Sequence, residues 1–225
     1  KWEDMSLDKE KIVFHSDRDG EYDIYVMDAD TMNIHQLTNG AKPEVSPRWS
    51  PDGSNIAYNE KGPDEFSHQL YLMDADGSNK ELIVDNNVRL STIAWAPDGE
   101  HLYYAHSENS VCHDTVREVD LSDGSERVVI DPSDYGEGEI RELRFSPDGN
   151  EVIFAMQSGC NAYSWKLYTC SADFKNVREF YDNTNRDDYA LWTANGSQII
   201  FRWHNGNQGD IYSLQANGTG LTRLT

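Results

Sequence analysis

Trp49-Ser50-Pro51-Asp52-Gly53, followed by the apolar run Ile56-Ala57-Tyr58, is the stretch on which the fold turns. It recurs as Trp95-Ala96-Pro97-Asp98-Gly99 before Leu102-Tyr103-Tyr104, and as Phe145-Ser146-Pro147-Asp148-Gly149 before Val152-Ile153-Phe154. A looser copy, Trp192-Thr193-Ala194-Asn195-Gly196, precedes Ile199-Ile200-Phe201. The same spacing read back from Ile12-Val13-Phe14 lands on Met5, a degenerate first copy in the same register. A second block follows each run: Ile24-Tyr25-Val26-Met27-Asp28, Leu70-Tyr71-Leu72-Met73-Asp74, Val116-Arg117-Glu118-Val119-Asp120, Leu167-Tyr168-Thr169-Cys170-Ser171 and Ile211-Tyr212-Ser213-Leu214-Gln215. A short apolar element centred on Leu37, Ile83, Val129, Phe180 or Leu224 closes each unit.

Short runs of β-branched and aromatic residues bounded by Pro-Asp-Gly or Asp-Ala-Asp-Gly are strands separated by turns. Proline presets φ at the second turn position and glycine supplies the positive φ near the end. Four such strands per unit, repeating at about 44 to 51 residues, are the sequence signature of propeller blades. Each blade buries both faces against its neighbours, so its strands are apolar at consecutive positions instead of alternating. The reading is therefore all-β, with repeats over 1–38, 39–84, 85–130, 131–181 and 182–225 forming a single propeller domain.

The repeat also resembles a known family. Trp-Ser-Pro-Asp-Gly with Ile-Ala-Tyr, then Ser16-Asp17-Arg18-Asp19-Gly20 leading into Ile24-Tyr25-Val26-Met27-Asp28-Ala29-Asp30, is similar to the TolB-type propeller repeat. Gln36-Leu37-Thr38 and Arg223-Leu224-Thr225 match its usual strand end. The resemblance covers nearly the whole chain and is specific for fold, while the same repeat serves several functions. It implies an envelope or secreted setting, periplasmic or extracellular. The family's namesake is similar to a six-bladed ring preceded by a small α/β domain, whereas five repeats are present here. The expected architecture is a five-bladed β-propeller of four-stranded antiparallel blades, with a fragment of a six-bladed TolB-like propeller as the alternative. The chain opens at Lys1, so processing from a longer precursor, or membership of a larger polypeptide or assembly, stays open.

The charge narrows the partners. Lysine and arginine number 19 against 40 acidic residues, a net charge of −21. Such a chain repels nucleic acid phosphates and anionic headgroups, so neither is an expected partner. No run approaches the roughly 20 apolar residues that span a bilayer, so membrane insertion is not expected. The acidity reads as solubility, or as an acidic face for a cation or a basic partner.

Turns shared by every repeat are structural; loops that differ between repeats are where binding belongs. The differing segments are 16–22, 60–68, 106–114, 156–165 and 203–209, with 39–47, 85–93, 131–143 and 182–190. They carry the candidate ligand-binding residues His68, His106, His113, Tyr135, Glu142, Trp165, Tyr189, Trp203 and His204. Aromatics among them can stack on a sugar or a side chain. The histidines lie on separate blades without zinc-finger or helix-face spacing, and read first as polar loop residues rather than metal ligands. Asp17, Asp19 and Asp23 alternate like hard-cation ligands, making calcium the one candidate cofactor, but the closing bidentate glutamate of a full calcium loop is missing and a hairpin turn fits better. No Gly-x-Ser-x-Gly, phosphate-cradling glycine loop or His-Glu-x-x-His is present. The leading reading is a non-catalytic module that recognises a protein or a polysaccharide. The runner-up is a polysaccharide lyase or glycosidase using His, Asp and Glu at the channel mouth, and a third is a substrate-gating domain of a protease.

Cys170 aligns with Met27, Met73, Val119 and Leu214 and reads as a buried core thiol. Cys112 and Cys160 fall in equivalent loops of adjacent blades, a placement that admits a cross-blade disulfide within the tight geometry such bonds require. With 3 cysteines in the chain, that bond predicts a single alkylatable thiol before reduction and all of them after it. Intact mass after alkylation reads the difference, and complete labelling without reductant rules the bond out.

Overall fold

The computed structural model describes residues 4–5, 11–62, 67–107, 113–135, 138–157, 159, 165–181, 186–205 and 208–225, with backbone alone at 4–5, 86–89, 134, 186–188, 205 and 208. Among the described residues all regular structure is strand apart from one short 3-10 turn. The first blade holds β1 (Asp4–Met5), β2 (Lys11–Ser16), β3 (Asp23–Asp28) and β4 (Ile34–Gln36). The second holds β5 (Glu44–Trp49), β6 (Asn55–Lys61), β7 (His68–Asp74) and the first part of β8 (Glu81–Trp95). The rest of β8 is the inner strand of the third, with β9 (His101–Ser107), β10 (Asp114–Asp120) and β11 (Glu126–Ile130). After the 3-10 turn Pro132–Asp134 come β12 (Ile140–Phe145), β13 (Glu151–Gln157), β14 (Trp165–Ser171) and β15 (Arg178–Tyr181). The fifth blade holds β16 (Arg186–Trp192), β17 (Gln198–Asn205), β18 (Gln208–Gln215) and β19 (Thr222–Arg223). These are five antiparallel four-stranded blades of a β-propeller, each ordered as in the chain.

The register confirms the degenerate first copy. Met5 pairs with Ile12 as Trp49 pairs with Ile56, Phe145 with Val152 and Trp192 with Ile199. One expectation fails. Segment 85–93 is no loop: β8 runs unbroken from the outer strand of blade 2 into the inner strand of blade 3, joining them in one seven-stranded sheet. The cause is local. Val84-Asp85-Asn86-Asn87-Val88-Arg89-Leu90 contains neither proline nor glycine, and Val84, Val88 and Leu90 keep their places on one alternation, so the strand continues through the polar residues between them.

By contacts the chain divides into two compact units, Lys1–Tyr103 with Val119–Glu126, and Tyr104–Glu118 with Arg127–Thr225. In the first, Val13, Ile24 and Val26 of blade 1 pack on Trp49, Ile56, Tyr58 and Met73 of blade 2. In the second, Ile153, Ala155, Trp165 and Leu167 of blade 4 pack on Ala190, Ile199, Phe201 and Leu214 of blade 5. Full burial of one such side chain contributes roughly 1.5–3 kcal/mol. Cys170 is a free buried thiol, as its alignment requires, and burial pushes its pKa up to about 12.

The shared turns hold the blades together. In the Pro-Asp-Gly turns Ser50 Oγ and Ser54 N donate to Asp52 Oδ1 at 2.6 and 3.0 Å, and Ser146 Oγ donates to Asp148 Oδ1 at 2.6 Å. Thr193 Oγ1 repeats the contact on Asn195 at 2.9 Å in the loose fifth copy. The turns between the third and fourth strands dock on the preceding blade. A Cβ at Gly77 (φ +86) would lie 2.8 Å from the Leu37 carbonyl oxygen, and one at Gly218 (φ +82) 3.0 Å from that of Phe180. Only glycine combines that backbone with that approach.

Two expectations follow from these turns. Gly124 has φ +72 but nothing within 4 Å of an added Cβ, so Gly124→Ala costs about 1 kcal/mol for the left-handed backbone alone. Gly77→Ala adds overpacking and costs about 2–4 kcal/mol in urea unfolding; equal losses would show that the turn is not a docking contact. The Asp52 carboxyl is held down at about 2, chiefly by the Ser50 hydroxyl and then by the Ser54 N–H and hydroxyl. Its folded-state value lies below the unfolded value of about 3.9. The stability it contributes is therefore present above about pH 4 and lost as pH falls through about 2. Asp52→Asn should lower stability at neutral pH and converge with the parent near pH 2, as read by urea midpoints across pH.

Candidate binding site at the loop ends of the blades

The inner strands share a defect that positions their side chains. β5, β12 and β16 each slip register, between Val45 and Arg48, Arg141 and Arg144, and Asp188 and Leu191. Within each slip a non-glycine residue adopts left-handed backbone: Ser46 (φ 57), Glu142 (φ 61) and Tyr189 (φ 58). All three stand at one register position, three residues before the aromatic that ends the strand. Such a conformation costs about 1–2 kcal/mol and persists only where surroundings enforce it. Bulges of this kind re-aim side chains and cluster beside functional sites.

In the second unit the two bulges meet. The Tyr189 N–H donates to Glu142 Oε2, so the inner strand of blade 5 is fastened by a carboxylate of blade 4. Tyr189 is 45% exposed and Leu191, two residues on, 50% exposed. The Arg202 guanidinium lies 4.3 Å from the Tyr189 ring centroid, holding that ring by a cation–π contact. Arg141 bonds Glu139 at 2.6 Å and covers Trp165 at 4.4 Å, so the Trp165 face is buried under an arginine and not open for stacking. Trp203 packs on Tyr212 at 4.6 Å between centroids. His204 lies along β17, its ring against Gly209. His106 is buried and contacts the Tyr104 ring at 5.6 Å. His113 Nε2 stands 3.5 Å from Asp131, whose carboxyl is held below its usual range mainly by the Ser133 hydroxyl and N–H. Tyr135, just after the 3-10 turn, is exposed. The structure thus joins Glu142 to Tyr189 and leaves the remaining candidates of this unit in separate surroundings.

In the first unit, histidines do what Glu142 does. His15 Nδ1 accepts the Ser46 N–H at 3.3 Å, and His68 Nδ1 accepts the Leu90 N–H at 3.4 Å. The Asp17–Asp23 segment is a hairpin turn whose carboxylates act apart. Asp19 accepts from the Tyr25 hydroxyl at 2.9 Å, while Asp23 accepts from Gln36 at 3.0 Å and from the Gly40 N–H at 3.2 Å. Burial, then the Asp19 contact, pushes the Tyr25 hydroxyl up to about 12. Among the described residues no three of His, Cys, Asp and Glu gather to hold a metal. No helix there is long and apolar enough to cross a membrane. Cys112 and Cys160 lie outside the described residues.

Arg141, Arg202, Leu191 and His15 escaped the reading of the sequence. A signal for Leu191 was present: the position before the closing aromatic is Arg48, Ala94, Arg144 and then Leu191. The arginines had none, because each acts through a ring brought close by the fold.

Comparison with known proteins agrees with this architecture. A family model described as the TolB beta propeller domain matches residues 4–133 and 59–225. A TolB homolog of Chlorobium chlorochromatii is 42% identical over 50 residues, 22% of this chain and 11% of that protein, so the match spans about a tenth of its curated relative. The solved structure of a putative TolB from Agrobacterium tumefaciens superposes with a TM-score of 0.78 at 17% identity, over 98% of this chain and 78% of the other. An oligogalacturonate lyase in complex with manganese superposes at 0.70 with 18% identity, over 100% of this chain and 64% of the other. At such identities the likeness concerns fold alone. The repeat register, the shared turns and a family match reaching from residue 4 to residue 225 make this chain a member of the TolB β-propeller family.

Proposed function

We propose that the chain is a non-catalytic binding module that receives a protein ligand at the inner strands of blades 4 and 5, in a periplasmic or extracellular setting. One observation carries the reading. Tyr189 and Leu191 are large apolar side chains about half exposed on an inner strand. At those register positions blade 2 has Ser46 and Arg48, and blade 4 has Glu142 and Arg144. An aromatic anchor beside an aliphatic one, rimmed by charge, is the composition of an interface hot spot. Glu142 and Arg202 fix the Tyr189 backbone and ring in advance, which lowers the ordering cost of binding. The net charge of −21 favours a basic partner and speeds its encounter. The envelope setting follows the family resemblance. The second reading, a polysaccharide lyase, draws on the superposition with oligogalacturonate lyase.

A photo-crosslinking residue at Leu191, compared with one at Ser125 in a shared turn, tests the assignment in envelope extract. Discrete protein adducts are expected only from position 191, with Tyr189→Ala lowering capture at least tenfold, about 1.4 kcal/mol or more. Equal adducts at both positions would remove the site. Unsaturated products formed from polygalacturonate with manganese, and lost in His204→Gln, would replace the binding reading by the lyase.

A further inference from the structure

The junction of blades 1 and 2 holds a carboxylate that the binding reading does not use. Glu44 opens β5 and is 2% exposed. Its N–H donates to the Tyr22 carbonyl at 2.6 Å, which seats the inner strand of blade 2 on blade 1. Its Oε2 is enclosed and has no hydrogen-bond partner. Among the described residues its ion-pair partner is Lys80, whose Nζ is 3.6 Å from Oε1, beyond hydrogen-bond distance and partly exposed itself. Directly across the ladder stands Glu60, a like charge whose own partner is Lys42 at 2.5 Å. Gly40, in the connection between the blades, leaves room for the carboxylate: a Cβ there would meet Glu44 Oε1 at 3.4 Å.

A buried charge so poorly matched costs stability, because desolvation exceeds what the Thr38 hydroxyl and one distant ammonium return. We propose that Glu44 is a proton-operated latch, seating β5 and the 37–43 connection firmly when protonated and loosening them when ionised. A single proton moves from solvent to the carboxylate; nothing else is gained or lost. The groups that face Glu44 are Thr38 and Lys80, which favour its charge, and Asp23 and Glu60, which oppose it, with Tyr58 and Tyr71 beside them. Burial is the largest influence and holds the carboxyl above its ordinary value.

The sign is opposite to that of the turn aspartates. A carboxyl raised in the folded state binds its proton more tightly there than in the unfolded chain. Its stabilisation is therefore full in acid and falls as pH rises through the folded value. His15 works in the other direction, since its protonation removes the acceptor of the Ser46 N–H. Acid therefore tightens this junction through Glu44 and loosens it through His15, and substitution separates the two.

Hydrogen exchange of peptides covering 37–46, corrected for intrinsic rates, tests the latch on the whole chain. Protection should rise about tenfold for each pH unit by which Glu44 is raised, between about pH 7 and pH 4. Glu44→Gln should abolish the rise of protection in acid, leaving only the acid loosening that comes through His15. Lys80→Met, at an exposed side chain, should move the transition to higher pH. Protection that fails to rise in acid in the parent chain with His15→Gln, or an acid-induced rise surviving in Glu44→Gln, would overturn the latch.

Discussion

Among the described residues each blade is a sheet with no helix to cover it, so it becomes stable by packing its apolar face on a neighbouring blade. That constraint explains the rest of the molecule. It makes the strands apolar at consecutive positions, as in Val152-Ile153-Phe154-Ala155-Met156, all buried. It sets the closing aromatics Trp49 and Trp192 against the sheet of the preceding blade. It also demands turns that fit a neighbour's backbone, which is why Gly77 and Gly218 meet a carbonyl oxygen where Gly124 meets nothing.

What could be read from the chain alone follows the same division. Blade number, strand order and the hidden copy at Met5 were legible because interblade packing imposes one register on all repeats. The β8 strand was not, because the repeat itself suggested a loop between Ile83 and Trp95 and obscured the absence of any breaker there. The bulges at Ser46, Glu142 and Tyr189 left no trace, since three unlike residues occupy one backbone state. Of the nine candidate site residues, Tyr189 and Glu142 came together, while Trp165 proved to be packing under Arg141. Stacking partners such as Arg202 lie on neighbouring strands at distances no spacing rule anticipates.

The loop ends show how a repeated scaffold becomes individual. The N–H groups of Ser46 and Leu90 find imidazole acceptors, whereas that of Tyr189 finds a carboxylate. The same backbone need is met by groups of different chemistry, although their strands share one register. Fold and function part company at this level: superposition with a TolB and with a lyase describes the strands alone.

The unbroken β8 strand has a consequence for how such a chain can evolve. A connection like residues 17–22 gains or loses a residue without disturbing the strands on either side. Within β8 an added residue has to be absorbed as a further slip against β7, beside the two the strand already carries, or it turns the following side chains to the opposite face. Length variation at this seam is confined to what the ladder can absorb, and further diversity between these two blades comes from substitution. New loops, and with them new partners, have room to arise elsewhere.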